Sequence, residues 1–152
     1  MTDQTGTDHT GSARPIGRRI RTFRYQKPHQ QASPWAIVSL CETDELRLAA
    51  HVLARGEVDN LHLNVDVDEL WMVLAGRARF LGPGRTLIGE FETGDGILVP
   101  RETRYRIENI SDVDLELIQL TLLDRPGAGE RIDLDEPHLA PEDIERHDGG
   151  VL

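Results

Sequence analysis

Cysteine is almost missing from this chain. Cys41 is the only one in 152 residues, which excludes an internal disulfide framework and any cysteine-based zinc cluster. Lysine is equally scarce, with Lys27 the single example, a bias of composition without mechanistic content. No run of residues approaches the roughly 18 consecutive apolar positions that a membrane helix requires. The opening segment MTDQTGTDHTGS is polar from its start and gives no secretory signal, so a soluble cytoplasmic protein is expected. Fingerprints of a phosphate loop, a nucleotide site or a Ser-His-Asp constellation are lacking as well.

Aromatic residues make up only 5%, yet a hydrophobic content of 38% is enough to bury one core, and the length fits one domain. Charge is unbalanced, 27 acidic against 17 basic residues for a net −10. The basic residues cluster early: Arg14, Arg18, Arg19, Arg21, Arg24 and Lys27 face only Asp3 and Asp8 across residues 1–30. The remainder is therefore more acidic than the whole, and phosphate backbones repel it, which excludes nucleic acid as a partner of the core.

Residues 1–17 are rich in Thr, Asp, Gly and Ser and read as a disordered tail; residues 18–34 read as a basic extended arm carrying Phe23 and Tyr25. From residue 35 the pattern is β throughout. The strands expected are Trp35–Glu42, Leu46–Ala54, Asn60–Val65, Glu69–Ala75, Arg77–Leu81, Thr86–Glu92, Gly96–Pro100, Thr103–Asn109 and Val113–Leu123. They are short, mostly alternate apolar with polar residues, and are separated by turn signals such as Gly-Pro-Gly at 82–84 and Gly-Asp-Gly at 94–96. This is an all-β barrel or sandwich over 35–123. An acidic extension, 124–152, follows. It carries one short helix expected at Pro141–His147, and Ile132, Leu134, Leu139 and Ile144 are spaced to pin an extended strip onto the barrel.

In a strand, His62 and Asn64 point to the same face. Glu69 shares its face with Trp71, and Thr103 shares its face with Tyr105. A barrel that turns these faces inward places His62, Asn64, Glu69 and Tyr105 in one cavity, and buried polar groups must bind each other, water, a metal or a ligand. Gln119 on the last strand is a further candidate, although the apolar pair Leu117–Ile118 breaks the alternation and leaves its face open. His51 shares a face with Arg47 and Arg55 and reads as surface. Cys41 reads as a small buried hydrophobe.

Residues 56–76, G-EVDNL-H-L-N-VDVD-E-LWMVLA-G, resemble the first motif of the cupin superfamily, G-x5-H-x-H-x4-E-x6-G, with Asn64 in place of the second histidine. Residues 94–109, G-DGILV-P-R-E-TR-Y-RIE-N, resemble the second, G-x5-P-x-G-x2-H-x3-N, with Glu102 for glycine and Tyr105 for histidine. The resemblance implies a single cupin barrel, the RmlC-like double-stranded β-helix. In wording, HLNVDVDELW and VPRETRYRIE are most similar to homogentisate-dioxygenase-type cupins, but the iron-binding half of those proteins has no counterpart here.

Metal-dependent cupins hold one Fe, Mn, Ni or Zn ion with both histidines and the glutamate of the first motif and the histidine of the second. Only His62 and Glu69 remain, with Asn64 and Tyr105 as weak substitutes, fewer than the three protein ligands usual in a catalytic site. The expected function is therefore a small-molecule enzyme that needs no metal or binds one weakly, and that isomerises, dehydrates or cyclises a small polar or aromatic substrate in the barrel by proton transfer. In that reading His62, Glu69 and Tyr105 are catalytic, while Asn64, Trp71, Thr103 and Gln119 bind the substrate. A metal-dependent dioxygenase with an atypical ligand set and a non-catalytic ligand-binding cupin are the alternatives. Family habit and edge strands that need cover imply a homodimer.

Overall fold

The computed structural model describes residues 19–29, 32–136 and 139–152; the polar tail at 1–17 and His138 lie outside them. Eleven strands follow in order: β1 (Trp35–Glu42), β2 (Leu46–Leu53), β3 (His62–Asn64), β4 (Val67–Ala75), β5 (Arg77–Leu81), β6 (Leu87–Glu92), β7 (Gly96–Val99), β8 (Arg106–Asn109), β9 (Leu115–Leu123), β10 (Arg131–Asp133) and β11 (Glu145–Asp148). The first wall is a six-stranded sheet in the order β11-β1-β2-β9-β4-β7. The second is built from β6-β5-β8 and β10-β3, joined side by side through the bridge between His62 and Tyr105.

Alternation decides what lies between the walls. Trp71 and Val73 of β4, Leu115 and Leu117 of β9 and Leu53 of β2 meet Ala78 and Phe80 of β5 and Ile107 of β8, all buried. The few aromatic rings are concentrated here. Phe80 stacks on Tyr105 at 6.0 Å and meets Phe91 and Trp71 edge-on at 5.3 and 6.5 Å. Asn109 ties this layer together, its Nδ2 donating to the carbonyls of Leu53, Ala54 and Val113.

Two turns depend on backbone that favours glycine. Gly76, alone between β4 and β5, has φ +84°, and a Cβ there would meet Ser111 Oγ at 2.8 Å and the Asp114 carbonyl at 3.1 Å. Glu102 has φ 63°, the left-handed region expected of the glycine it replaces, and its N–H donates to the Asn64 carbonyl at 2.6 Å.

The acidic extension packs on its own barrel. β10 runs antiparallel to β3, setting Arg131 opposite Asn64 and Asp133 opposite His62, and β11 runs parallel to β1 over Ala36–Ser39. The helix expected at Pro141–His147 is reduced to one 3-10 turn, Pro141–Asp143, and Glu145–Asp148 is strand. The open edge of β1 supplies backbone partners that a seven-residue helix without an apolar stripe has no means of matching. Leu139 and Ile144 pack against the core, whereas Ile132 and Leu134 are exposed. At the other end of the chain, Arg24 pairs with Gly150 and the Tyr25 hydroxyl donates to Glu116 at 2.6 Å, laying the basic arm along the outside of the large sheet.

Candidate active site

A cavity of about 490 Å³ opens between the walls, lined from the first sheet by residues of β1, β2, β4 and β9 and from the second by His62, Asn64 and Tyr105. The C-terminal extension closes one side with Arg131, Leu139, Pro141, Ile144 and Arg146. His62, Asn64, Glu69, Trp71, Tyr105 and Gln119 all line it; Thr103 does not. Thr103 sits in the turn before Tyr105, its N–H held by the Pro100 carbonyl at 3.2 Å, where regular alternation has not yet begun. Gln119 faces inward because Glu69 and Trp71 of β4 pair with Thr121 and Gln119 of β9, one row apart on the inner face.

Glu69 is the sink of a buried hydrogen-bond network. Its Oε1 accepts from Gln119 Nε2 at 2.6 Å, and its Oε2 accepts from Asn64 Nδ2 at 2.8 Å and from the Tyr105 hydroxyl. Tyr105 oxygen in turn accepts from Trp71 Nε1 at 3.2 Å. Burial first, and the Glu69 charge second, push the Tyr105 phenol well above its ordinary pKa, so it keeps its proton.

His51 extends this network and is not the surface residue its neighbours Arg47 and Arg55 suggested. It is 6% exposed, because the face it shares with Arg47 turns inward and Arg47 only reaches the cavity rim. Trp35 Nε1 donates to His51 Nδ1 at 3.1 Å, so the ring's proton is on Nε2, 2.9 Å from Gln119 Oε1. That tautomer fixes the Gln119 amide with its nitrogen toward Glu69. Desolvation lowers the His51 pKa to about 4, and the fields of Arg146 and Arg131 act the same way against the bond to Gln119.

The second histidine is set differently. His62 Nδ1 lies 2.9 Å from the Asn60 carbonyl and 3.2 Å from Asp59 Oδ2, which places its proton on Nδ1 and leaves Nε2 with a free lone pair. Asp59, 5% exposed, is steadied by Arg131 Nη2 on its other oxygen at 2.9 Å. The result is a carboxylate-backed imidazole beside the Tyr105 ring, centroids 4.4 Å apart. Sequence reasoning missed Asp59 and Arg131: the first was not singled out and the second fell within the acidic extension. The one available signal was Asp59 three residues ahead of His62. Cys41 is half-buried and lines the cavity, contrary to its reading as core: β1 is bulged between Ser39 and Cys41. Arg101 lies outside the cavity, held by Asp68 and Asp124.

A metal centre fits these groups poorly. Among the described residues no set of three or more His, Cys, Asp or Glu is placed to hold an ion. Both oxygens of Glu69 already face N–H and O–H donors, which a cation would have to displace, and Tyr105 is held as the neutral phenol, the weaker ligand form. Of the two histidines described in the cavity, His62 alone keeps a ring nitrogen, Nε2, without a hydrogen-bond partner among the described residues.

The chain matches no family model and no curated protein. Its fold does match solved structures. KdgF from Halomonas sp. shares 18% identity at a TM-score of 0.61, covering 70% of this chain and 96% of that one. A cupin superfamily protein from Desulfitobacterium hafniense shares 18% identity at 0.56, covering 70% and 100%. Oxalate oxidase in complex with the substrate analogue glycolate shares 16% at 0.55, covering 72% and 60%.

Proposed function

We propose that this chain, whose fold is the double-stranded β-helix of the cupins, is an enzyme that isomerises, dehydrates or cyclises a small molecule by proton transfer inside the barrel. The observation that carries the reading is the pairing of two unlike groups in one cavity: an imidazole oriented by Asp59 with Nε2 free, and a phenol whose proton is retained against Glu69. His62 Nε2 takes a proton from the substrate and returns it at a neighbouring atom. Asp59 stabilises the imidazolium between the two steps, and Arg131 holds Asp59 in place. Tyr105 accepts from Trp71 and rests its one proton on Glu69; as substrate binds it turns that hydrogen bond to the oxygen on which charge develops, leaving Glu69 to Asn64 and Gln119. Asn64, Gln119 and Trp71 shape the wall against which the substrate lies. The protein acts as a homodimer through the apolar part of the outer face of its large sheet, Leu70, Met72 and Leu98.

The test is turnover in a screen of enolisable and hydroxylated small molecules run in deuterated water. Label enters the product through His62. His62→Gln loses at least about 10³-fold in kcat, within the range expected for removal of a general base. Asp59→Asn keeps the hydrogen bond but not the charge and lowers kcat about 10- to 100-fold with KM little changed, a split that simple loss of folding does not produce. Undiminished turnover in His62→Gln refutes the assignment.

A further inference from the structure

We infer that the cavity takes a small organic monocarboxylate, its carboxylate held by Arg47 and Arg146 and its apolar body lying against Trp71, Ile37 and Ile144. The inference names the ligand of the cavity proposed above as catalytic and rests on that cavity being the binding site, though not on turnover.

Most of the charge in the cavity is already matched. Arg131 is tied to Asp59 and Asp133, and Glu69 is surrounded by donors. Two arginines stand apart. Arg47, on the inner face of β2, is the register partner of Thr121, itself the partner of Glu69, so its guanidinium lies in the same polar row as the network. Among the described residues, of its five N–H groups only those on Nη2 find an acceptor, the Ala128 carbonyl at 2.7 Å, and its Nε is buried without a partner. Glu42, opposite it on β1, is exposed and forms no ion pair with it. Arg146 on β11 is set beside Ile37, lines the cavity, and is not engaged in a hydrogen bond or ion pair among the described residues. Its charge reaches inward far enough to disfavour protonation of His51.

Unengaged guanidinium groups on a cavity rim, in a chain of net charge −10, are the complement of an anion. The carboxylates of Glu42, Asp59, Glu69 and Asp133 share the cavity with Arg47, Arg131 and Arg146, so the lining as a whole has no positive excess, and the two unengaged guanidinium groups suit one negative charge better than the two of a phosphate monoester. Both tryptophans of the chain, Trp35 and Trp71, line the cavity, so intrinsic fluorescence reports occupancy directly.

Three probes of one shape decide the matter: benzoate, benzyl alcohol and phenyl phosphate, titrated into the full chain. Benzoate is expected to change the fluorescence saturably with a Kd about 10-fold or more below that of benzyl alcohol, with phenyl phosphate weaker than benzoate. Arg47→Gln and Arg146→Gln each weaken benzoate by about 5- to 10-fold and leave benzyl alcohol unchanged. Circular dichroism checks folding; if Arg47→Gln misfolds, Arg146→Gln, on an exposed strand, carries the test alone. No saturable response to benzoate, no preference over benzyl alcohol, a preference that survives the substitution, or tighter binding of phenyl phosphate overturns the inference. Benzoate affinity is read by fluorescence and turnover by label uptake, so failure of anion binding and failure of the proton-transfer reading are told apart.

Discussion

His51 is locked in its neutral form by its partners as much as by its burial. Trp35 offers a donor to Nδ1, so a proton added there would set two N–H groups against each other and break the chain of bonds that runs through Gln119 to Glu69. The unfolded chain has no such constraint, and its histidine titrates near 6.5. Because the folded pKa is depressed to about 4, the stability it represents is intact above about pH 6.5 and is lost as pH falls toward 4. Urea unfolding at pH 7 and pH 4.5 should show a loss of roughly 2 to 3 kcal/mol from this group. His51→Leu should be less stable than wild type at pH 7, because it orphans Trp35 Nε1 and Gln119, and should have a correspondingly flatter pH dependence. An unchanged slope in His51→Leu would show that acid sensitivity arises elsewhere. At this scale the sequence revealed most of the candidate site, Trp71 and Gln119 included. His62, Asn64, Glu69 and Tyr105 were legible because a period of two turns each toward one face. His51 was not, since alternation tells which residues share a face but not which face is inward, and an arginine on an inner rim looks like surface. Asp59 and Arg131 are 72 residues apart, and only the folded chain brings them together.

At the scale of elements, alternation and turn residues located the nine strands from β1 to β9 to within a few residues, and the glycine spacing located the turns that join them. What alternation missed were β10 and β11, three and four residues long and mostly charged, whose pairing is imposed by the edges of β3 and β1 and not by their own composition. Two glycines of the matched motifs separate backbone from steric demand. Gly94 has φ +92° with nothing within 4 Å of a built Cβ, while Gly76 has φ +84° and two contacts at 3.1 Å or less. Gly94→Ala should therefore cost only the left-handed backbone penalty, about 1 to 2 kcal/mol. Gly76→Ala adds displacement of the Ser111 side chain and the Asp114 carbonyl, about 2 to 4 kcal/mol in all. Chemical denaturation of the two variants tests this directly. Equal losses would mean that the turn between β4 and β5 is as open as the one between β6 and β7.

At the scale of the whole molecule, the outer face of the large sheet sets how two copies can meet. Leu70 lies opposite Leu98 on β7 and Leu120 on β9, and Met72 lies opposite Ile118, so these side chains form one apolar ridge across three strands. Leu98 and Met72 are 57% and 49% exposed, and Leu70 and Leu122 each 39%. A chain of net charge −10 repels its copy almost everywhere else, so contact is favoured where no charge has to be desolvated. A two-fold axis through the ridge packs it on itself, aliphatic against aliphatic, with Asp68 and Arg101 beside it already paired to each other at the rim. The cavity opens on the opposite face of the same strands, so association should leave it accessible. Sedimentation equilibrium of the wild type is expected to give twice the mass of the chain. Met72→Lys and Leu98→Lys, each burying a charge at the contact, should give monomers that keep their circular dichroism and their benzoate affinity. A wild-type monomer, or lysine variants that remain dimeric, would assign the ridge no role in assembly. Loss of benzoate binding together with the dimer would mean instead that the cavity depends on the neighbouring copy.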